Sequence, residues 1–246
     1  MRLKIISKKS PKVEPIVNKI KETASSLGFT LDESEPDVIL AVGGDGTLLK
    51  AVSYGKPIVT IKAGRRGFLM DGEPDEIGNI LQRLAKGDYL VQEYPLLRAT
   101  HSRGSVEVFN EVGILFDEPE SILVSVNYSD VSFISEGDGV LISTPQGSTG
   151  WSMSITGVYL GVDALEVTLV SPILSPVKSL IIPRTQVRLV MEDKGYEQRA
   201  RVVADGEIVD LIKTGEGLLI EPSPKRAVIY RFFKSDPVRG LLSWKR

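Results

Sequence analysis

The sequence predicts two domains of different class, an N-terminal α/β domain and a C-terminal antiparallel β-sandwich domain. Strand-like and helix-like segments alternate up to about residue 97, which favours right-handed crossovers and a doubly wound, mostly parallel sheet. Beyond that point, short segments rich in valine and isoleucine are closely punctuated by glycine, proline, aspartate and asparagine. This pattern is typical of an antiparallel sandwich. We therefore predict domains at residues 1–97 and 98–246, and the last segment, about 230–246, could return to the first domain.

Hydrophobic periodicity predicts the individual elements. The apolar run at 38–42 is nearly continuous, as in parallel strands that are covered on both faces. Apolar residues between Val13 and Leu27 recur at helical spacing and are followed by Gly28, where we expect that helix to end. By the same criteria, the first domain has predicted strands at 3–6, 38–42 and 57–61, and predicted helices at 13–27, 47–52 and 74–86. The predicted strands of the second domain are 106–116, 122–127, 131–134, 140–143, 165–169, 187–191, 199–203 and 218–221, with 148–160 as a helical exception.

The composition excludes several classes of protein. The 246 residues include no cysteine and one histidine, which excludes disulfide frameworks, thiol nucleophiles and Cys/His zinc sites. With a formal net charge of −2, the chain lacks the overall basic charge that draws proteins to nucleic acid or anionic membranes. The N-terminal apolar stretch is too short for a signal peptide, and no run approaches the roughly 18 apolar residues of a membrane span. We expect a soluble cytoplasmic protein without nucleic-acid or membrane partners.

The first candidate site is residues 43–47, Gly-Gly-Asp-Gly-Thr, at the junction of a predicted strand and a predicted helix. Glycines allow backbone N–H groups to approach a ligand closely, and a helix N-terminus favours phosphate. The string matches neither the dinucleotide-binding Gly-x-Gly-x-x-Gly pattern nor the P-loop. An aspartate in a phosphate site needs a task, and Asp45 could accept a proton from an attacking hydroxyl or hold a magnesium ion. A tight turn with a helix-capping aspartate is the alternative interpretation.

Two further segments carry polar side chains in unusual places. Asn110 and Glu111 interrupt an apolar strand, so at least one of them should be buried and require partners. A surface bulge explains this pair equally well. Residues 136–154 run from a strand through a Pro/Gly turn into several hydroxyl side chains and Trp151. Hydroxyls and free backbone amides suit a sugar or phosphate, and the indole offers a stacking face; a helix capped by Ser or Thr is the alternative.

Together these segments resemble the NAD kinase family, which phosphorylates NAD to NADP. Residues 43–47 match the glycine–aspartate signature of that family, and Asn110-Glu111 matches its asparagine–acid pair. Residues 64–71 and 138–149 are similar to two further segments that the family has in the same order. The first motif alone is shared with phosphofructokinases and diacylglycerol-type lipid kinases. The joint occurrence over nearly the whole chain is much more specific.

The resemblance implies phosphoryl transfer from ATP to the 2′-hydroxyl of the adenosine ribose of NAD. Asp45 would orient that hydroxyl and take its proton, and magnesium would accompany ATP. The family generally forms homo-oligomers, often dimers or tetramers, and pairs an α/β domain with a β domain. The residues implied in binding phosphates are Gly44, Gly46, Thr47 and Lys50. The residues implied in binding NAD are Asn110, Glu111, Thr149, Gly150, Trp151 and Ser154, with Asp138 nearby or reaching a neighbouring subunit.

Several positions depart from the family pattern. Lys62 stands where the family usually has asparagine, Gly150-Trp151 replaces Ala-Tyr, and Gln146 replaces a small residue. Two other functions stay open on the sequence, namely a lipid kinase of the diacylglycerol type and a non-catalytic NAD-binding sensor. The segment after the third predicted strand lacks the Gly-x-Gly-Asn-Asp pattern expected of the lipid kinase, and we expect a sensor to have lost Asp45.

Overall fold

The computed structural model describes residues 1–64 and 67–233, which divide into two compact units. The first unit contains Met1–Tyr94 together with residues 227–233, and the second unit contains Pro95–Arg226. The predicted domain limits of 1–97 and 98–246 stay a prediction. The sequence predicts that the last segment, about 230–246, could return to the first domain. Residues 234–246 of this segment lie outside the described residues.

A parallel sheet flanked by helices forms the first unit. Its strands lie in the order β2-β1-β3-β4, and each neighbouring pair runs parallel. All residues of β3 are buried, as the continuous apolar run predicts. In chain order the elements are β1 (Arg2–Ser7), α1 (Glu14–Ser26), β2 (Thr30–Leu31), β3 (Val38–Gly43), α2 (Asp45–Val52), β4 (Ile58–Lys62) and α3 (Ile77–Lys86), the last preceded by a 3₁₀ turn at Pro74–Glu76.

Two antiparallel sheets form the second unit. One sheet has the order β12-β11-β10-β7-β14-β15, and in the other β9, β8, β13 and part of β16 are neighbours. Apolar side chains from both sheets belong to one buried cluster, which includes Ile142 and Val167 of one sheet and Val124 and Leu189 of the other. The elements are β5 (Leu90–His101), β6 (Gly104–Val108), β7 (Glu111–Phe116), β8 (Ile122–Tyr128), β9 (Val131–Gly137), β10 (Gly139–Ser143), α4 (Trp151–Thr156), β11 (Ala164–Val170), β12 (Ser179–Pro183), β13 (Val187–Met191), β14 (Arg199–Ala204), β15 (Glu207–Lys213) and β16 (Gly217–Arg231).

The long strand β16 has residues in both units, as does β5, whose residues 90–94 belong to the first unit. Within the second unit its N-terminal part pairs antiparallel with β13, where Ile220 lies opposite Val187. Within the first unit its C-terminal part pairs parallel with β4, where Ile229 lies opposite Ile58. The parallel sheet of the first unit thus takes a strand from the far end of the chain.

The observed elements differ from the sequence prediction in identifiable places. The single strand predicted at 106–116 is two strands, β6 and β7, because the chain turns at Phe109 and Asn110. The predicted helix at 148–160 is limited to Trp151–Thr156, since Gly157 adopts a left-handed conformation with φ of 73°. Strands β2, β5, β12 and β15 were not predicted. Among the described residues, no helix is long and apolar enough to cross a membrane.

Candidate active site

The glycine-rich segment joins β3 to α2 in the first unit. Gly43 ends the strand, and a Cβ atom at this position would lie 2.2 Å from Oγ1 of Thr47. Gly44 is the helix N-cap, and its carbonyl accepts a hydrogen bond from the backbone N–H of Thr47 at 2.8 Å. Close packing of the turn against the helix therefore requires Gly43 and places Asp45 in the first helical turn.

Two backbone amides hold the carboxylate of Asp45. Its Oδ2 accepts a hydrogen bond from the N–H of Phe68 at 3.0 Å, and its Oδ1 accepts one from Leu69 at 3.2 Å. Each carboxylate oxygen can accept more than one hydrogen bond. The amides therefore fix the orientation of Asp45 and leave it able to accept a proton from a ligand.

Residues near the end of β16 support the segment that supplies these amides. The buried guanidinium of Arg231 donates to the carbonyl of Leu69 at 2.7 Å. The backbone N–H of Phe232 donates to the carboxylate of Asp71 at 2.7 Å. Arg231 was not predicted from the sequence, because its partner lies 162 positions away in the chain. Arg65 and Arg66, within the motif at 64–71, are outside the described residues.

A cleft of about 800 Å³ opens beside the glycine-rich segment at 43–47. The predicted phosphate-binding residues contribute to its wall, and the exposed Lys50 stands on α2 facing it. Outside the adjoining helical backbone, no atom among residues 1–64 and 67–233 would lie within 4 Å of a Cβ atom at Gly46. The lining residues are Ser7, Lys8, Lys9, Gly44, Gly46, Thr47, Lys50, Ala63 and Gly64. With three lysines and exposed backbone, the cleft can accept a ligand that carries several negative charges.

Asn110 and Glu111 form the first part of the candidate site in the second unit. Both residues are buried, at 7% and 5% exposure. The sequence predicted that at least one of them would be buried. The side-chain atoms Oδ1 of Asn110 and Oε2 of Glu111 are buried and have no hydrogen-bond partner among the described residues. Buried acceptors without partners are costly, so this pair is suited to receive donors from a ligand.

Asp205 holds this pair in place and was missed by the sequence analysis. Its carboxylate accepts hydrogen bonds from the backbone N–H groups of Phe109 at 2.8 Å and Asn110 at 2.7 Å. Its own N–H donates to the carbonyl of Glu111 at 2.9 Å. Asp205 has φ of 49° and precedes Gly206, which also has positive φ. An Asp-Gly pair between two strands is the ordinary signal of a hairpin turn. The sequence therefore explains Asp205 as a turn residue and does not indicate that its carboxylate binds the amides of Phe109 and Asn110.

The electrostatic environment of Glu111 is unusual. Burial raises the pKa of its carboxyl to about 8, the negative charge of Asp205 adds to the rise, and an interaction with the backbone N–H of Trp151 opposes it. Burial also raises the pKa of Asp205, although the backbone N–H groups that it accepts act in the other direction. Glu111 is therefore largely protonated near neutral pH, and its carboxyl can donate a hydrogen bond as well as accept one.

The turn after β10 packs directly against Asn110. The side-chain amide of Gln146 donates to the carbonyl of Phe109 at 2.9 Å. A Cβ atom at Gly147 would lie 2.1 Å from the carbonyl oxygen of Asn110, and one at Gly150 would lie 3.0 Å from Oε2 of Glu111. Gln146, which departs from the family pattern, thus ties this turn to the chain just before the buried polar pair.

The remaining predicted residues fall into two groups. Thr149 and Gly150 are half-buried, while Trp151 is 40% exposed and Ser154 is exposed on α4. Asp138 lies at the other end of β10, because Gly139 pairs with Leu115 whereas Ser143 pairs with Glu111. Asp138 and Ser143 are five residues apart, which is about 17 Å along the chain at the usual 3.3 Å rise per residue of a strand. The structure brings the other NAD-binding candidates together around α4 but leaves Asp138 outside that group within one chain.

Two family models match this chain. The ATP-NAD kinase N-terminal domain matches residues 4–89, and the ATP-NAD kinase C-terminal domain matches residues 109–232. The chain belongs to the NAD kinase family. The predicted α/β plus antiparallel β class is that of the NAD kinase structures described below, and it is confirmed.

Several NAD kinases resemble the chain over most of its length. It is 48% identical to NAD kinase of Saccharolobus solfataricus over 244 residues, which are 98% of each protein. It is 45% identical to NAD kinase of Sulfurisphaera tokodaii, covering 99% of this chain and 100% of the relative. The Pyrococcus abyssi NAD kinase is 32% identical and covers 82% of this chain.

Solved NAD kinase structures share the fold. An Archaeoglobus fulgidus NAD kinase in complex with ATP matches with a TM-score of 0.80 and 24% identity, covering 99% of this chain and 98% of that one. A yeast NADH kinase complexed with NADH matches with a TM-score of 0.87 and 16% identity, covering 100% and 88%. At these identities the likeness concerns the fold alone.

Proposed function

We propose that the chain transfers a phosphoryl group from ATP to the 2′-hydroxyl of the adenosine ribose of NAD, giving NADP. The observation that carries the proposal is the carboxylate of Asp45, held by the amides of Phe68 and Leu69 beside a lysine-lined cleft. A carboxylate at a phosphate site repels its ligand unless it acts in the chemistry. The printed names of the relatives, NAD kinase throughout, support the same acceptor.

Residues of the first unit carry the phosphoryl-transfer chemistry. Asp45 accepts the proton of the 2′-hydroxyl as that oxygen attacks the terminal phosphorus of ATP. The bond between this phosphorus and the bridging oxygen breaks, and ADP leaves with the electron pair. The backbone around Gly44, Gly46 and Thr47 binds phosphate oxygens, and Lys50 neutralises part of their charge.

Residues of the second unit bind NAD. The buried acceptors of Asn110 and Glu111 receive donors from a ribose or an amide of the dinucleotide, which relieves the cost of leaving them unpaired. Trp151 offers its exposed ring for stacking, and the hydroxyls of Thr149 and Ser154, with the backbone at Gly150, complete this set. Asp138 is proposed to act from a neighbouring subunit of a homo-oligomer, a dimer or a tetramer, because it stands apart from the others within one chain.

Magnesium is proposed to enter with ATP. The described residues contain no cluster of three or more His, Asp or Glu side chains that could hold a metal ion. Mg²⁺ commonly binds through substrate phosphates and one or two protein carboxylates, and Asp45 is a carboxylate next to the phosphate-binding backbone that could take this part. When bound, the ion neutralises charge on the transferring phosphoryl group.

The experiment that tests the proposal compares Asp45→Asn with the unaltered chain in a coupled assay with NAD, ATP and Mg²⁺. NADP formation is expected to fall at least about a hundredfold, the lower end of typical general-base effects, while calorimetric NAD affinity is retained. Asp75→Asn, at an exposed aspartate of the same unit, is the matched control and should keep full activity. Unchanged turnover in Asp45→Asn would remove this carboxylate from the chemistry.

The alternative functions are separated in the same assay. Diacylglycerol offered in place of NAD would be phosphorylated by a lipid kinase, and a sensor would bind NAD without forming NADP. The presence of Asp45 and its two amide donors favours the enzyme over the sensor. Homo-oligomer formation and cytoplasmic location remain predictions, which light scattering and cell fractionation test.

A further inference from the structure

The short helix α4 carries Trp151 and Ser154, yet it has little to hold it in place by itself. It spans six residues, Trp151–Thr156, and has no side-chain cap at its N-terminus. Helices of this length are not stable in isolation. Its only buried residue is Ser152, a polar one, and Ile155 is its one contact with a small apolar cluster on the sheet. The position of α4 must therefore depend on other contacts.

A row of three polar residues crosses the sheet beneath α4. Ser143 of β10 lies directly opposite Glu111 of β7 on one side and Glu166 of β11 on the other. Directly opposed residues in neighbouring strands point to the same face of a sheet. The row thus places a buried carboxyl on each side of a buried serine.

Each member of the row contacts one residue of α4. The backbone N–H of Trp151 interacts with the carboxyl of Glu111 at the beginning of the helix. The hydroxyl of Ser152 shares a short hydrogen bond with that of Ser143. The Thr156 hydroxyl lies 2.8 Å from Oε1 of Glu166, at the end of the helix. Ser152 and Thr156 are four residues apart and therefore lie on the same helical face.

Burying the carboxyl of Glu166 costs free energy. Its side chain is fully buried. Oε1 accepts hydrogen bonds from the hydroxyls of Thr156 and of Ser179 in β12, the latter at 2.7 Å. Oε2 has no hydrogen-bond partner among the described residues. Replacing buried polar groups with apolar side chains of similar size is often neutral or stabilising. Stability alone therefore does not account for a carboxyl at this position.

We propose that Glu166 is a positioning residue for NAD binding. By holding Thr156 it fixes the register of α4 on the row, and so places the ring of Trp151 and the backbone next to Glu111 where the dinucleotide binds. Glu166 touches neither substrate. The inference rests on the proposed function, because it takes Trp151 and Glu111 as NAD contacts.

The test compares Glu166→Met, which removes the acceptor at similar side-chain volume, with Glu166→Gln, which keeps a carbonyl oxygen for the two hydroxyls. In Glu166→Met we expect the KM for NAD to rise roughly five- to tenfold, the equivalent of about 1–1.4 kcal/mol, with little change in kcat. The melting temperature should change little. Glu166→Gln should restore the KM to near that of the unaltered chain.

Two more variants identify which hydrogen bond matters. Thr156→Val removes the contact from the helix side and should raise the KM as Glu166→Met does, and the double variant should be no worse than either single one. Ser179→Ala removes the other hydroxyl on the same oxygen without touching α4, so it is the matched control with near-normal KM. An equal effect of Ser179→Ala and Glu166→Met would overturn the proposal, because the sheet rather than α4 would then be responsible.

A fluorescence titration tests the inference without turnover. The chain has two tryptophans, so a Trp244→Phe background leaves Trp151 as the only tryptophan, whose emission is followed with excitation at the red edge of the indole band. Titration with NAD alone should show weaker binding in Glu166→Met and Thr156→Val, with altered emission of Trp151 in the free protein. Unchanged NAD affinity in both variants would refute the positioning role. Absence of NADP formation by the unaltered chain would instead refute the proposed function, and this titration would still decide the role of Glu166.

Discussion

Replacing Glu111 with glutamine should change how the stability of the protein depends on pH. Burial raises the pKa of the Glu111 carboxyl to about 8 in the folded protein, from 4.5 for a free side chain. Between these two values the folded chain holds a proton that the unfolded chain has released. Stability linked to Glu111 is therefore complete below about pH 4.5 and declines as the pH rises towards 8.

The size of the effect follows from the same shift. Each pKa unit corresponds to about 1.4 kcal/mol, so the shift from 4.5 to about 8 predicts a loss on the order of 4 kcal/mol over this range. Glutamine resembles the protonated carboxyl and does not titrate. Glu111→Gln should therefore match the unaltered chain near pH 5 and exceed it in stability at pH 8.

Urea denaturation at several pH values between 5 and 8 provides the measurement. The difference in unfolding free energy between Glu111→Gln and the unaltered chain cancels the contributions of titrating groups that do not interact with Glu111. The interaction between Glu111 and Asp205 stays part of the measured difference. Glu118→Gln, at an exposed carboxyl, is the control and should give a flat difference. Parallel pH curves for Glu111→Gln and the unaltered chain would refute the reasoning, because they would mean that Glu111 titrates normally in the folded protein.

Two further predictions concern packing and support of the site. Gly147→Ala should destabilise the protein by about 1–3 kcal/mol, typical of overpacking, because the new Cβ would lie 2.1 Å from the carbonyl oxygen of Asn110. Chemical denaturation measures this change. Gly78→Ala is the control and should not destabilise, because no atom of the described residues lies within 4 Å of the added Cβ. Arg231→Met removes the donor to the carbonyl of Leu69 and should lower kcat several-fold with the KM for NAD unchanged, as steady-state kinetics would reveal; an unaltered kcat would contradict the role of this contact.

Local sequence patterns predicted much of the fold. The apolar run before the glycine-rich segment predicted β3, and the helical signals after it predicted α2, so the position of Asp45 at a strand–helix junction followed from neighbouring residues alone. From the place of Asn110 and Glu111 within an apolar strand, the sequence predicted that at least one of them is buried, and both are. Such features depend on periodicity over a few residues.

The supporting residues could not be predicted in this way. Asp205 binds backbone amides 95 and 96 positions earlier, and Arg231 binds a carbonyl 162 positions earlier. Glu166 sits between apolar neighbours in a strand, with nothing local to indicate which residues it contacts. Contacts of this length depend on which strands become neighbours, and a single sequence does not specify that arrangement.

The division of β16 between the two units bears on how the chain folds during its synthesis. The ribosome releases residues 1–94 first, but β4 pairs with Ile229 and Tyr230, which are made near the end. Until those residues emerge, one edge of β4 has unpaired backbone groups that could recruit other chains. A stop codon shortly before residue 227 should therefore cause aggregation of the nascent product, whereas a complete chain closes this edge itself.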